Sequence, residues 1–326
     1  MNTLSVKTQR LERVARLYYE QNKTQAEIAI IMGISRPLVS RMMQEARQLG
    51  IIEVKIHSFS QEDDVLLKQV KMAFGIKGGS FVPELQDVHM LNLSLAQATM
   101  QCIRQLGGGR LSIGWGNIVG NFVEFIEQDA PKQGVISSVC PMVGNSGVTI
   151  RNYHSNENVR IVAQHTKATP HYLHIPAFAE TQQDLDLLRK TEHYKAMLKE
   201  WEQLDIALVN IGNYPSTPDF ASVARYGNLL TKHKAVGQLI AYYYNEEGEI
   251  IQSESDCTIQ IPIPLLEKCQ NVIGICSASV GAKALAGALR TGIFSHIIAR
   301  ENLVSQVLKS LPVGTKNSTL GLDDKD

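Results

Sequence analysis

The sequence predicts an α+β protein with two parts, a helix-turn-helix head at the amino terminus and a larger, Rossmann-like α/β domain. Within the first 50 residues, apolar residues recur at helical spacing around a short turn. From Gly79 onward, short apolar runs alternate with amphipathic helices, which is typical of a largely parallel sheet. The chain has 326 residues, so we expect a small domain and a larger one rather than a single core.

The sequence patterns divide the chain into four predicted segments. We predict a helix-turn-helix domain over 1–58, a linker helix over 59–78, an effector-binding domain over 79–311 and a flexible tail over 312–326. The tail lacks an apolar period, which favours disorder. A short strand is predicted at the end of the first domain, from Ile51 to His57.

The linker helix carries one apolar stripe, made of Leu66, Val70, Ala73 and Phe74. A single stripe between two domains needs a partner. Because proteins with a helix-turn-helix commonly act as two-fold dimers, we predict that the linker helix pairs with its copy in a second subunit.

The helix-turn-helix is predicted from its caps and turn. Thr24 and Glu27 have the spacing of a capping box, which starts a helix that runs to about Met32. Gly33 supplies the positive φ of a tight turn. Ser35 is predicted to cap the second helix, whose early Pro37 costs no intrahelical hydrogen bond.

The second helix separates apolar from polar side chains. Val39, Met42, Met43, Ala46 and Leu49 share one face, which we expect to be packed. The other face is rich in arginine, serine and glutamine, which are the side chains that read base edges and phosphates. The alternative is a solvated helix in an all-α subdomain. We predict that DNA is contacted by nine residues of the motif: Thr24, Gln25, Ser35, Arg36, Pro37, Ser40, Arg41, Gln44 and Arg47, the last through phosphate.

Charge is unevenly distributed along a chain whose net charge is zero. Residues 1–60 contain nine Lys or Arg and five Glu, a net charge of +4, so the remainder carries −4. A cationic head on a mildly anionic body suits the binding of a polyanion through one end.

The compartment is predicted from cysteines and hydropathy. Five cysteines without a CxxC pair or a metal-like spacing indicate reduced thiols and no metal site. The amino terminus has no signal-peptide core, and no stretch approaches the ~20 apolar residues of a membrane span. We therefore expect a cytoplasmic protein.

Six strands are predicted in the larger domain, at 80–84, 110–115, 135–143, 171–178, 206–212 and 271–276. Four of them end in glycine or small polar residues, in IGWGN, MVGNSG, VNIGN and ICSASVG. The carboxyl ends of parallel strands form the ligand crevice of open α/β sheets, so these turns predict an effector site. The alternative is that glycine serves turn geometry alone. A further segment, Lys234 to Ile251, is predicted to form a hairpin around residues 245–248.

The chain resembles the SorC family of bacterial transcriptional regulators, also called the DeoR/SorC sugar-responsive family, from Val6 to Leu308. The predicted helix-turn-helix resembles that of the family. Four segments of the larger domain also match the family's pattern: Ile113 to Gly116, Pro141 to Gly144, Ala235 to Gly237, and the run VIGICSASVGAKALAGALRTG. The stretches YHSNENVR and EHYKAMLKEWEQLDIALVNIG look most like the branch that handles sugars or polyols.

The resemblance implies a repressor or activator of a carbohydrate-utilisation operon. Its effector domain is expected to resemble sugar-phosphate isomerases and to bind a sugar, polyol or sugar phosphate without turnover. Family members are commonly tetramers, so a homo-oligomer that is a dimer of dimers is expected, with no cofactor. Nine residues are carried over as effector contacts: Gly114, Trp115, Gly116, Gly144, Asn145, Ser146, Gly147, Gln238 and Lys283.

The chain departs from the family pattern at four places around the crevice. Gln238 stands where an acid is usual, Asn145 follows Gly144 where a second glycine is usual, and Arg300 and Asn210 replace an acid and a glycine. These changes suggest an altered ligand. An alternative function is a sugar-phosphate isomerase or deaminase with an appended DNA-binding head, although an amide at 238 and a cation at 300 are poor substitutes for a catalytic acid.

Overall fold

The computed structural model describes residues 3–21, 23–52, 65–128, 134–216 and 222–311. The chain divides into two compact units, Met1–Phe59 and Ser60–Asp326. Residues 53–57 of the predicted strand, the first residues of the predicted linker helix and the predicted tail lie outside the described residues.

In its described residues, the first unit, which we call the head, has three helices around a small core. The helices are α1 (Thr3–Tyr19), α2 (Gln25–Met32) and α3 (Arg36–Gln48). Val14, Ile28, Val39 and Met43 form the centre of the core. The prediction for Leu49 is wrong: the side chain is 59% exposed, because α3 ends at Gln48 and the helical period no longer sets its direction.

The second unit, which we call the effector unit, is centred on one mixed sheet. In the described part of this unit, seven strands are mutually parallel, in the order β1-β10-β9-β5-β2-β3-β4, and β6, β7 and β8 extend from β5 in antiparallel pairs. The strands are β1 (Gly78–Val82), β2 (Gly109–Ile113), β3 (Ile136–Pro141), β4 (Thr169–Pro170), β5 (Ile206–Asn213), β6 (Ala235–Leu239), β7 (Tyr242–Asn245), β8 (Ile250–Ile251), β9 (Asn271–Cys276) and β10 (His296–Arg300).

Helices cover both faces of this sheet, so the predicted α/β architecture is confirmed. Several begin at side-chain caps, for example Asp87 Oδ1, which accepts from Met90 N at 2.8 Å. The helices are α4 (Val65–Phe74), α5 (Val88–Gln105), α6 (Asn117–Gln128), α7 (Ser155–Thr166), α8 (Gln182–Arg189), α9 (Glu192–Glu202), α10 (Ser222–Tyr226), α11 (Leu229–Lys232), α12 (Ile263–Lys268), α13 (Ala282–Arg290) and α14 (Glu301–Lys309), with a 3-10 turn at Arg151–Tyr153.

Strand β5 lies near the middle of the sheet and contributes to the core on both faces. Val209 and Ile211 belong to one apolar cluster, and Ile206 and Leu208 belong to the other. Successive side chains of a strand point to opposite faces, so a strand buried on both sides reads as one continuous apolar run.

The predicted strand at 171–178 is wrong as a strand. The regular ladder ends at Pro170, and the chain then continues through isolated bridges at Pro176 and Phe178. Leu173, Ile175 and Ala177 are nonetheless buried in alternation. The segment therefore alternates like a strand, but two prolines lack the N–H groups that a regular ladder requires.

The predicted hairpin at 234–251 contains three strands rather than two. The first extended run folds back on itself at Ile240 and Ala241, between β6 and β7, and the second turn joins β7 to β8. Ile240 adopts a φ of 55°, a conformation that β-branched residues rarely take, so the local sequence gave no turn signal.

Most of the apolar stripe of α4 packs within the same chain, so it does not require a second copy as its partner. The predicted pairing with that copy stays a prediction. Leu67 and Val70 are buried, and Leu66 and Phe74 pack on the same core cluster. The partners are α14 and β1, with which α4 makes contacts. Ala73 is exposed.

Candidate functional site

The turn between α2 and α3 forms as the sequence predicts. Thr24 Oγ1 accepts from Glu27 N at 3.3 Å, and Thr24 N donates to Glu27 Oε2 at 2.8 Å, which completes the capping box. The hydrogen bonds from Thr24 lower the pKa of Glu27. Gly33 ends α2 with a φ of 64°, a left-handed conformation suited to glycine.

Replacing Thr24 with alanine is expected to destabilise the head by about 1 kcal/mol, because the side-chain oxygen that caps α2 is lost. Thermal unfolding followed by circular dichroism measures the change. Thr24→Ser keeps the hydroxyl and serves as the matched control, so equal losses in the two variants would contradict the capping role.

Most predicted DNA contacts lie on the surface of the head. Arg36, Pro37, Arg41 and Gln44 are exposed along α3, and Ser40 is partly buried between them. Thr24 is exposed and Gln25 partly buried at the start of α2. The predicted capping by Ser35 is wrong, because its hydroxyl makes no cap hydrogen bond; its backbone carbonyl accepts from Leu38 N and Val39 N instead.

Two contacts within the head determine which charges α3 presents. Glu45, the single acid of this helix, forms an ion pair with Lys7 of α1. Arg47 Nη2 donates to Tyr19 Oη at 2.9 Å, so this guanidinium braces α3 against α1. The exposed face therefore carries Arg36 and Arg41 with their charges available. The predicted phosphate contact through Arg47 is untested by these contacts and stays a prediction.

The effector unit brings several predicted residues together where β2 and β5 end. Trp115 is buried and donates from Nε1 to Ile240 O at 2.9 Å, and its ring lies edge-on to Tyr153. A Cβ at Gly114 would lie 2.8 Å from Asn210 Oδ1, so glycine is needed for the two strands to place this amide beside the turn. Gly116 follows with a φ of 95°.

The amide side chains of Asn210 and Gln238 are buried on the same face of the sheet, at β5 and β6. Asn210 and Gly212 alternate onto the same face, and Gln238 of β6 packs over Gly212, with which it is paired in register. Asn210 is 7% and Gln238 8% exposed. Among the described residues, neither Asn210 Oδ1 nor Gln238 Oε1 has a hydrogen-bond partner. We call this region, between Gly114–Gly116 and Gln238, the effector crevice.

Buried acceptors without donors are costly, at about 1–3 kcal/mol each, and are commonly found where a ligand completes the hydrogen bonding. Two amide oxygens accept hydrogen bonds from hydroxyl groups. The crevice therefore has the chemistry to hold a polyhydroxylated compound. Asn210 was not predicted as a contact, although a single polar side chain inside the apolar run IALVNIG was the available signal.

The segment Gly144–Gly147 is more firmly built into the protein than the sequence indicates. Gly144 N donates to Ile259 O and Asn145 N to Ile175 O, so these two amides are already paired. Ser146 Oγ donates to Tyr153 O at 3.0 Å. Gly147 is exposed, with open space around the position of a Cβ.

Lys283 lies in the first turn of α13 with its side chain 75% exposed, and its Nζ is 3.4 Å from Glu246 Oε2. The cap of this helix is closed by Asn213, whose Oδ1 accepts from Gly281 N at 2.9 Å. At the adjoining edge, Arg300 pairs with Glu84 at 3.0 Å and donates to Val280 O. Lys283 is thus paired with Glu246, and its predicted contact with an effector stays a prediction.

The described residues hold no group of three His, Cys, Asp or Glu side chains arranged to bind a metal ion. All five cysteines are free, and burial raises the pKa of the Cys140 thiol to about 12. In the same described part of the chain, no helix has the length and hydropathy to cross a membrane.

A protein family described as "Putative sugar-binding domain" matches residues 60–309, which is most of the chain. The chain belongs to this family. Together with its relatives, this match identifies it as a SorC-family protein, as the resemblance in sequence implied.

Two curated relatives of this SorC-family protein match along nearly the whole chain. The sorbitol operon regulator of Klebsiella pneumoniae is 28% identical over 308 residues, which cover 91% of this chain and 96% of that protein. The deoxyribonucleoside regulator of Bacillus subtilis (strain 168) is 24% identical over 306 residues, covering 90% of this chain and 95% of that protein.

Solved structures show the same fold. The full-length sorbitol operon regulator SorC from Klebsiella pneumoniae superposes with a TM-score of 0.67 at 25% identity, covering 92% of this chain and 98% of that one. A domain described as "Putative Sugar-Binding Domain of Transcriptional Repressor" from Vibrio fischeri gives a TM-score of 0.66 at 15% identity, and the match covers 77% of this chain and 99% of that one.

Proposed function

We propose that this SorC-family protein is a transcriptional regulator that reads operator DNA through α3 and is controlled by a hydroxylated effector in the effector crevice. The observation that carries the proposal is the pair of unpartnered amide oxygens on Asn210 and Gln238, in a chain whose head exposes Arg41 and Gln44. The first feature suits an effector and the second suits base edges.

The effector class follows from the acceptors in the crevice. Amide oxygens accept from hydroxyl groups, which sugars and polyols supply in number. The names of the two curated relatives, a sorbitol operon regulator and a deoxyribonucleoside regulator, refer to hydroxylated compounds and support the same class. A phosphate on the effector would be met by Lys283 after it leaves Glu246, at the amino end of α13.

The effector is bound and not converted. A turnover mechanism requires a positioned acid or base near the reacting carbon. The crevice instead presents amides, and the nearby Arg300 and Glu84 are engaged with each other. Incubation with pentose and hexose phosphates should therefore give no product, and product formation would favour the alternative of an isomerase or deaminase with a DNA-binding head.

Regulation is proposed to act through subunit arrangement. A homo-oligomer that is a dimer of dimers presents paired heads, and an operator with two half-sites accepts only some spacings of those heads. An effector that binds one arrangement more tightly shifts the population toward it. Sedimentation of the full-length chain with and without effector measures the assembly.

DNA binding by the full-length protein is expected to weaken steeply with salt, because each phosphate contact releases counterions and adds about −0.9 to the slope of log K against log [salt]. Fluorescence anisotropy on DNA selected from a randomised pool gives this slope. A panel of sugars, polyols and their phosphates should contain compounds that change the affinity. Binding that is indifferent to salt, or to every member of the panel, would contradict the proposal.

A further inference from the structure

A pocket lies in the effector unit at the edge of the sheet opposite the effector crevice, where β1 and β10 begin. Its volume is about 570 Å³, which is within the range of small-molecule sites. Gly78 of β1 and His296 of β10 are paired in register and form its base. Helices α4 and α5 supply the walls, and the lining residues are Leu67, Lys68, Lys71, Lys77, Gly78, Gly79, Cys102, Gln105, Leu106 and His296. We call it the amino-edge pocket.

The lining of the amino-edge pocket is cationic. Lys68 and Lys71 project from α4, one turn apart, and Lys77 follows at the start of β1 with its Nζ donating to Gln270 O at 3.0 Å. Among the described residues that line the pocket, none carries a carboxylate. Three ammonium groups around one concave space attract an anion more strongly than scattered surface lysines do, because the walls reduce the local dielectric.

His296 provides the second, independent feature. It is 8% exposed, and its Nδ1 lies 2.9 Å from Ser295 Oγ. Its Nε2 has no hydrogen-bond partner among the described residues and lies over Gly78, where a Cβ would come within 3.1 Å of it. The glycine thus keeps the ring at the base of the pocket. Burial, followed by Lys77 and Lys71, lowers the pKa of His296 to about 4.

The remaining lining is apolar. Leu67 and Cys102 are buried, and Leu106 is partly exposed. Burial raises the pKa of Cys102 to about 11, so the thiol is neutral and acts as a small apolar group. The pocket therefore combines an apolar wall with a cationic rim and one imidazole nitrogen, which fits a ligand that has an anionic end and a short carbon skeleton.

We propose that the amino-edge pocket binds a small organic anion, a carboxylate or phosphate ester, at a site separate from the effector crevice. The position has a regulatory consequence. Helix α4 forms one wall, so an anion that bridges Lys68 and Lys71 to the sheet restrains this helix against β1 and β10. The protein would then respond to two classes of metabolite.

Isothermal titration calorimetry of the full-length protein at low ionic strength tests the proposal with three probes, inorganic phosphate, glycerol 3-phosphate and citrate. The wild type should bind at least one probe, and Lys68→Gln with Lys71→Gln should weaken that binding about tenfold or more. Both lysines are exposed, so folding is preserved. The matched control, Lys190→Gln with Lys199→Gln, removes the same charge from exposed positions elsewhere and should leave binding unchanged.

Three results would overturn the site. The first is the absence of binding by all three probes, and the second is an equal loss in the control pair. The third is a loss of probe binding in Asn210→Leu with Gln238→Leu, which would assign the anion to the effector crevice. Sedimentation of Lys68→Gln with Lys71→Gln adds a further check: a changed oligomeric state with unchanged probe binding would mean that these lysines meet another copy of the chain.

Discussion

Replacing Arg41 and Gln44 together with alanine is expected to weaken binding to selected operator DNA by about 100- to 1000-fold. Both side chains are exposed on α3, on the face opposite the buried Val39 and Met43. Arginine pairs with guanine and glutamine with adenine, and each such contact contributes about 1–3 kcal/mol of discrimination. The loss should therefore be larger on selected DNA than on random DNA. Anisotropy titrations on both DNAs measure it.

A matched control is available on α8, where Arg189 and Gln183 are also exposed. Arg189→Ala with Gln183→Ala makes the same chemical change outside the head and should leave DNA binding intact. Circular dichroism establishes that both double variants are folded. If the two variants lose DNA affinity equally, or if the α3 variant loses affinity equally for selected and random DNA, α3 does not read the bases.

The head is the part that could be predicted almost entirely from the sequence, because its signals are local. A capping box at Thr24, a left-handed glycine at 33 and a two-faced second helix lie within 25 consecutive residues, and each is determined by neighbours in the chain. Two predictions for the head are wrong. The Ser35 hydroxyl makes no cap hydrogen bond, and Leu49 is not packed because it lies beyond the last residue of α3.

The sheet was predicted less completely, since strand pairing depends on distant residues. Strand β10 was not predicted, because its five residues, HIIAR, contain a run of only three apolar side chains, which is too short to show a period. The turn at Ile240 carries no glycine or asparagine, and its position is fixed by pairing of β6 with both β5 and β7. Tertiary contacts therefore decided these elements.

The crevice illustrates the same limit at the level of single side chains. The glycines at 114 and 116 and the amide at 238 were expected from the resemblance, whereas Asn210 was noticed only as a departure from the family pattern. That Asn210 and Gln238 lie on one face follows from the register Gly212 with Gln238. The register of two antiparallel strands cannot be predicted from a local sequence pattern. The structure was therefore needed to show that Asn210 and Gln238 lie on the same face.

Replacing Asn210 and Gln238 with leucine is expected to raise the effector concentration for a half-maximal change in DNA affinity by about 100-fold or more, since two buried hydrogen bonds to the effector are lost. DNA affinity without effector should match that of the wild type, because the head is unchanged. The assay repeats the anisotropy titration at increasing concentrations of the best compound from the panel. An unaltered response would exclude these amides as effector contacts.

The same substitutions also make an opposite prediction for stability. Leucine removes an unpartnered buried oxygen at each position, so the effector-free protein should be as stable as the wild type or gain about 1–2 kcal/mol. Gln260→Leu is the matched contrast to Gln238→Leu: Gln260 Oε1 accepts from Ala241 N at 3.0 Å, and its loss leaves a buried N–H unpaired at a cost of about 1–3 kcal/mol. Denaturant unfolding compares the two. If Gln238→Leu and Gln260→Leu lose equal stability, Gln238 already has hydrogen-bond partners in the effector-free protein. If Gln238→Leu keeps its stability while the response of DNA affinity to effector is lost, Gln238 belongs to a binding site whose polar groups are paired only when the ligand is present.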